Sequence, residues 1–271
     1  MPGRDAEERE WVAANRAMWD DLAKAHPDTE FYDVSGVVAG RDDLRPWEDQ
    51  ELGPVAGLDL IHLQCHIGTD TIGWARRGAR TVGLDFSGEA LETAGRLSEA
   101  CGLEVDWVHG EVYDAVQAVG DRRFDVVYTG VGALGWLPDL RQWAQVVHGL
   151  LRPGGRLYLM ELHPMWVALI DDGRTVGQDA IGASFERYDN DGSYADPAIR
   201  VEHGANYQRL HSLSEVISAV LDVGLTISLF HEYDVTPAPT PWLSRGDDRL
   251  YRFPPDTYRF PVVYSLLAQR H

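Results

Sequence analysis

Between Leu58 and Phe86 the chain reads LDLIHLQCHIGTDTIGWARRGARTVGLDF, and most of its capacity for chemistry is concentrated there. An apolar run ends in His62-Leu63-Gln64-Cys65-His66-Ile67-Gly68, a short amphipathic stretch closes at Gly78, and a second apolar run ends in Asp85. That order spells strand, turn, helix, strand. A carboxylate at the end of the second strand can accept hydrogen bonds from ribose hydroxyls, while the first turn holds the other end of a nucleoside ligand. A pyrophosphate needs bare backbone at the helix start, and the side chains of Gln64 and His66 would obstruct it. The spacing therefore favours a nucleoside carrying a small amino-acid-like tail over NAD or FAD.

Other positions extend this pocket. Glu111-Val112 follows the third strand, where a carboxylate and a backbone amide can reach a purine edge; a solvated acidic residue is the competing reading. Gly130-Val131-Gly132 leaves the fourth strand, and small residues there permit close backbone approach to a ligand. His62 and His66 do not make a metal pair on this reading: they span a strand end and a turn, and no Cys/His set completes a site, so no metal is expected. Asp189-Asn190-Asp191-Gly192 lacks the carboxylates that a calcium loop needs at Arg187 and Ala198, and reads as a turn.

The elements that must position these groups follow from periodicity. A helix is predicted over 6–25, with Trp11, Asn15, Met18, Trp19 and Leu22 on one stripe, ended by His26-Pro27-Asp28. Residues 28–55 show little periodicity and read as an irregular cover. Strands are predicted at 58–63, 80–85, 104–108, 124–129 and 156–162, and helices at 69–77, 87–101 and 138–151, with a weaker helical segment at 112–119. Arg152-Pro153-Gly154-Gly155 reads as a tight turn into the fifth strand. Such alternation implies a parallel sheet covered on both faces. It breaks at 164–207, rich in Asp, Gly and Tyr and read as an inserted hairpin or lid. A helix at 212–223 and strands at 225–233 and 258–269 complete the chain, whose organisation is expected to be a cover over 1–55 and one binding domain over 56–271.

Composition narrows the partners. With 24 basic and 43 acidic residues the net charge is −19, which repels polyphosphate and argues against a nucleic-acid substrate. No run of about 18 apolar residues suggests a membrane span, and the charged N-terminus points to the cytoplasm. Two cysteines, Cys65 and Cys101, make a disulfide framework implausible.

Taken in order, these residues resemble a class I S-adenosylmethionine (SAM)-dependent methyltransferase over about residues 56–163, and HLQCHIGTD is similar to the first motif of a subgroup of bacterial small-molecule methyltransferases. In the family's usual first motif an acidic residue and three alternating glycines stand where this chain has His62, Gln64, His66 and Gly68. The resemblance implies an α/β fold, a Rossmann-like, mostly parallel seven-stranded sheet with helices on both faces and an antiparallel last strand. It implies that Asp85 binds the ribose, that Phe86 lies beside the adenine, and that Glu111 and Val112 meet the adenine edge. Gly130, Val131 and Gly132 would underlie the methionine portion. Gln64, His66 and Gly68 would line the pocket, with Trp19 or Tyr32 closing it. LLRPGG at 150–155 matches the turn before the fifth strand.

Methyl transfer to a hydroxyl, an amine or an indole carbon ends in loss of a proton, so a positioned base helps. The expected candidates are His163 and Glu161 near the end of the fifth strand and His231-Glu232 in the sixth, with Tyr32 and Tyr194 orienting the acceptor. The acidic chain and aromatic cover suit a small, aromatic or apolar metabolite or natural product, an indole being one instance. The protein is expected to be a monomer or homodimer. Two other readings stay open here, a SAM-binding regulatory protein without turnover and a nicotinamide-dependent oxidoreductase.

Overall fold

Apolar residues on both faces of consecutive strands dictate a central sheet, because only elements stacked above and below can cover both. The computed structural model describes residues 6–169 and 173–271. Its helices are α1 (Ala6–Ala25), α2 (Val34–Val38), α3 (Pro46–Leu52), α4 (Thr69–Arg76), α5 (Gly88–Ala100), α6 (Ala115–Ala118), α7 (Leu140–Leu150), α8 (Pro164–Val167) and α9 (Leu213–Asp222). The strands are β1 (Asp59–Leu63), β2 (Arg80–Asp85), β3 (Val105–His109), β4 (Phe124–Thr129), β5 (Leu151–Leu162), β6 (Glu186–Asp189), β7 (Ala205–Gln208), β8 (Thr226–Tyr233), β9 (Val235–Thr236), β10 (Ser244–Arg245), β11 (Tyr251–Arg252) and β12 (Val263–Gln269).

Seven strands form one sheet in the order β3-β2-β1-β4-β5-β12-β8. β1 to β5 pair in parallel, and β12 runs antiparallel between β5 and β8. This is the Rossmann-like sheet with an antiparallel last strand. Ile61, Leu63, Val82, Leu84 and Val127 bury one face against Trp143 and Val147 of α7 and Val220 of α9. Leu60, Val126, Tyr128 and Met160 bury the other against Leu52 of α3 and Trp74 of α4. The strand order changes direction at β1 and β4, which opens a crevice at their C-terminal ends.

Four segments differ from the sequence reading. Within 28–55, α2 and α3 form on capping rather than periodicity: Asp33 accepts the Gly36 amide at 3.1 Å, Pro46 opens α3, and Glu48 reaches back to the Arg45 amide at 2.6 Å. β5 begins at Leu151, not 156, because the Pro-Gly-Gly turn is absorbed where its pairing with β4 shifts register. β12 begins after Pro261, which has no N–H for a ladder. The Pro-rich stretch after β8 contributes β9 to a small three-stranded sheet, in the order β10-β11-β9, that the sequence did not announce.

The insertion 164–207, of which 170–172 lie outside the described residues, carries α8 and the antiparallel hairpin strand β6, whose partner β7 ends one residue beyond. Asn15 of α1, nearly fully buried, secures β7: its side chain donates to Tyr207 O at 2.8 Å and accepts the Tyr207 amide at 2.7 Å. An amide inside the apolar stripe of α1 is thus a strand clamp.

Under the first turn, the Trp107 indole of β3 lies flat against two glycines. A Cβ on Gly83 would stand 2.2 Å from the ring and one on Gly68 2.3 Å from it. Gly83→Ala is therefore expected to cost about 1–3 kcal/mol through overpacking, read as a lower urea midpoint. Adding Trp107→Leu should recover part of the loss; an unchanged Gly83→Ala midpoint would contradict this packing.

Candidate active site

At the C-terminal ends of β1, β2, β4 and β5 lies a cavity of about 900 Å³. That volume falls in the range of small-molecule sites. Trp19 of α1, Phe31 and Tyr32, the hairpin's Tyr194 and the segment around Arg249 close its outer side.

The loop after β1 is the most constrained part of the wall. Gln64 and His66 both have left-handed backbone, at φ 57° and 49°. Side chains seldom adopt this conformation, which persists only where surrounding contacts fix it. Here the Cys65 amide donates to Leu84 O at 3.0 Å, the His66 amide to Asp85 Oδ2 at 2.8 Å, and the Gln64 side-chain amide to Ala133 O at 3.0 Å. Gln64 Oε1 is buried on the cavity wall with no protein partner, an acceptor left for a ligand donor.

Asp85 is buried, and its second oxygen accepts the Ser87 amide at 2.9 Å. Burial raises its pKa to about 6 against the lowering effect of those amides. It is an anion at neutral pH with lone pairs to spare. Phe86, Glu111 and Val112 line the same end of the cavity, and the Arg16 guanidinium stands 5.9 Å from the Phe86 ring centre. Gly130, Val131 and Gly132 form the adjoining wall.

Glu161 organises that wall. Its carboxylate accepts the amides of Gly132 at 2.6 Å, Leu134 at 2.7 Å and Leu162 at 2.6 Å. Burial raises its pKa to about 7, opposed by the same amides. The structure thus gives Glu161, expected as a base, a clear positioning task on the glycine loop.

The other expected bases do not line the cavity. His163 caps α8, accepting the Met165 amide at its Nδ1 at 3.1 Å, and its Nε2 lies 2.9 Å from Glu232. His231 is exposed and turns to Glu51 at 2.6 Å. The reason is topology: Glu232 pairs with Tyr264 of β12, which pairs with Glu161, so β8 lies three strands from β4 and outside the crevice. The base role expected of His163, His231 and Glu232 has no geometric support. Tyr32 does reach the cavity, where its hydroxyl meets that of Tyr194 in a short hydrogen bond.

Residues that the sequence did not single out complete the site. His26, read there as a helix stop, is fully buried, with Nδ1 2.8 Å from His66 Nε2 and Nε2 3.0 Å from Ser193 Oγ. Trp19 meets the His66 ring edge-on at 5.0 Å and Trp136 at 5.2 Å. On the opposite wall Arg45 lies 3.3 Å from Asp70, and outside the lining Tyr128 donates to the buried Glu48 at 2.7 Å. His62 turns away from His66, its Nδ1 2.8 Å from Thr71. Burial lowers its pKa to about 3, so it is neutral. Among the described residues no group of three or more His, Cys, Asp or Glu side chains is arranged to hold a metal, and no helix is long and apolar enough to cross a membrane.

Residues 61–157 match the family model described as a methyltransferase domain. A demethylmenaquinone methyltransferase of Clavibacter sepedonicus is 30% identical over 169 residues, 62% of this chain and 66% of that protein. A ubiquinone biosynthesis O-methyltransferase of Ruegeria pomeroyi is 34% identical over 110 residues, 40% of this chain and 43% of that protein. The crystal structure of a SAM-dependent methyltransferase from Mesorhizobium loti matches the fold with a TM-score of 0.58 at 18% identity, over 86% of this chain and all of that one. The match to the methyltransferase domain thus covers β1 to β5 of the seven-stranded sheet, and the fold around it is shared with a SAM-dependent methyltransferase. The chain spans between about two fifths and two thirds of the length of the curated relatives it matches.

If Glu161 fixes the glycine loop, Glu161→Ala leaves three buried amides without an acceptor, while Glu161→Gln keeps one carbonyl for them. Faster hydrogen exchange at Gly132 and Leu134 is expected in the alanine variant, with a smaller change in the glutamine variant. Equal exchange in all three proteins would refute this role.

Proposed function

We propose that this chain transfers a methyl group from SAM to a small aromatic or apolar acceptor, as a variant of the small-molecule methyltransferases with an HLQCHIGTD-type first motif. The observation that carries the reading is Asp85, an ionised carboxylate at the end of β2 on the wall of a 900 Å³ cavity. The remaining walls suit the same molecule. Asp85 would accept the ribose hydroxyls, Phe86 and Val112 would flank the adenine with Glu111 at its edge, and the orphaned Gln64 Oε1 would take the methionine ammonium. Gly130 to Gly132 would lie beneath the methionine chain. The bulky residues in the first turn weigh against a dinucleotide there.

When bound, SAM supplies an already activated methyl group on a sulfonium. The protein must align the acceptor with it and exclude water, and orientation alone can contribute on the order of 7 kcal/mol or more. Trp19, Phe31, Tyr32, Trp136 and Tyr194 offer flat apolar walls for an aromatic acceptor. In this reading the N-terminal segment to residue 55 and the insertion 164–207 form the acceptor-side cover of the binding domain. The two curated relatives are named for quinones, and one of them for O-methylation, which suits an acceptor with a flat six-membered ring.

Calorimetry with SAM and with S-adenosylhomocysteine (SAH) tests the cofactor, and a metabolite screen with isotope-labelled SAM tests the acceptor. Wild-type protein should bind both ligands, and Asp85→Ala should lose at least tenfold in affinity. Because the carboxylate must be ionised to accept two hydroxyls, and its pKa is about 6, affinity should hold above pH 7 and weaken roughly tenfold by pH 5. Asp85→Asn should bind weakly with a flat profile between those values. Folded wild-type protein that binds neither ligand would end the proposal.

A further inference from the structure

Three separated segments converge on one point of the cavity wall. The turn after β1 brings His66, the C-terminus of α1 leads into His26, and the connection of the β6–β7 hairpin brings Ser193. His66 Nε2 lies 2.8 Å from His26 Nδ1, and His26 Nε2 lies 3.0 Å from Ser193 Oγ. The chain is continuous and ends at both sides on something open. His66 lines the cavity, and among the described residues its Nδ1 has no protein hydrogen bond. Ser193 sits partly exposed in the hairpin connection. Aromatic rings wall the relay: Tyr32 stacks on His26 at 4.8 Å, and Trp19 and Tyr194 meet it edge-on or nearly so.

Packing alone does not call for this arrangement. A buried imidazole is tolerated only where its nitrogens find partners, and His26 meets that demand at both, where an apolar ring would fill the space with no such requirement. Left-handed backbone at His66 carries a cost of its own. Both features are accounted for if the ring nitrogens carry protons between cavity and surface.

We propose that His66, His26 and Ser193 form a proton relay that accepts the proton of the methyl acceptor, so that the substrate is one whose nucleophile carries, or is conjugated to, an ionisable O–H or N–H, such as a phenol or an indole. The proposal rests on the methyl-transfer reading above. As the acceptor atom gives its electron pair to the methyl carbon and the carbon–sulfur pair returns to sulfur, the acceptor's proton passes to His66 Nδ1. The Nε2 proton of His66 passes to His26 Nδ1, the Nε2 proton of His26 passes to Ser193 Oγ, and the Ser193 hydroxyl proton passes to water. One proton enters and one leaves. Burial holds both rings neutral at pH 7, with the pKa of His26 at about 4 and that of His66 well below its usual value. A lone imidazole so reluctant to charge would be a poor proton sink, whereas a relay moves the proton on and leaves no ring charged. In this scheme His66 is the catalytic residue, and His26 and Ser193 act through it.

The tautomers decide the matter without a known acceptor. Nitrogen NMR of the full chain labelled with [15N]histidine and saturated with SAH should show both rings neutral at pH 7. His66 should be protonated at Nε2 and bare at Nδ1, and His26 protonated at Nε2. Protonation of His66 at Nδ1, or a charged ring at either site, would overturn the relay. With an acceptor from the labelled-SAM screen, His26→Gln and Ser193→Ala should lower kcat at least tenfold and keep SAH affinity within twofold. Unchanged kcat would also overturn it. Absence of SAH binding in the wild type would instead overturn the cofactor reading on which the proposal stands.

Discussion

The site depends on one carboxylate tying two strand ends together. Asp85 accepts the amide of His66 from the turn after β1 and the amide of Ser87 at the start of α5. Without that bond the His66 backbone would lose its own amide's partner, and the turn could relax toward the ordinary regions of conformational space. The same carboxylate keeps lone pairs directed at the cavity, so binding and loop geometry share one group. This explains how the first motif tolerates losing its glycines. In a glycine-rich turn the backbone adopts positive φ at no steric cost; here the strain at Gln64 and His66 is offset by Asp85, by the Leu84 carbonyl and by the Gln64 bond to Ala133.

Over the outer side of the cavity, directional polar bonds accompany the aromatic contacts that join Trp11 to Phe185 and Phe31 to Tyr194. The N-terminal elements reach the hairpin through Asn15 and Tyr207, and Asp21 accepts the amides of Glu202 and His203 at 3.0 and 2.9 Å. Arg249 donates to the carbonyls of Glu30 and Phe31 and pairs with Asp33 at 2.9 Å. Contacts of this kind are directional, so they fix where the aromatic walls stand. They also bury less apolar surface than the sheet core does, and segments held in that way open at lower free energy than the core. A site that must admit a substrate and then exclude water benefits from that difference.

Periodicity carried the sheet. Strands β1, β2 and β4 and helices α1, α5 and α9 were legible because a buried stripe or run repeats at the period of the element. What failed was set by single residues. Pro46 and Asp33 start helices that have too few turns to show a stripe, and the Pro-Gly-Gly turn became part of β5 through a slip in pairing with β4. Asp85, Phe86, Val112 and the glycine loop are legible as residues at the cavity because strand ends are readable in the sequence. His26 and Ser193 are not, because their roles come from segments 40 and 167 residues away in sequence. The sequence points to His163 through its place after β5. Its pairing with Glu232 depends on the alignment of β12 between β5 and β8, which no local pattern encodes.

Charge links these levels. The chain carries −19, and on the proposed reading its ligand arrives as a sulfonium cation and leaves as a neutral thioether. A negative surface field raises the local concentration of the cation and does nothing for the product, an advantage that added salt would screen. Inside, however, a positive histidine beside the sulfonium would repel it strongly where water is excluded. Burial resolves the conflict by holding His26, His62 and His66 neutral on or beside the cavity wall. Asp85 stays ionised against the same burial, because the amides it accepts keep its pKa below neutrality. An acidic exterior is thus combined with neutral imidazoles within, while arginines of the wall such as Arg45 and Arg249 are paired with the carboxylates of Asp70 and Asp33.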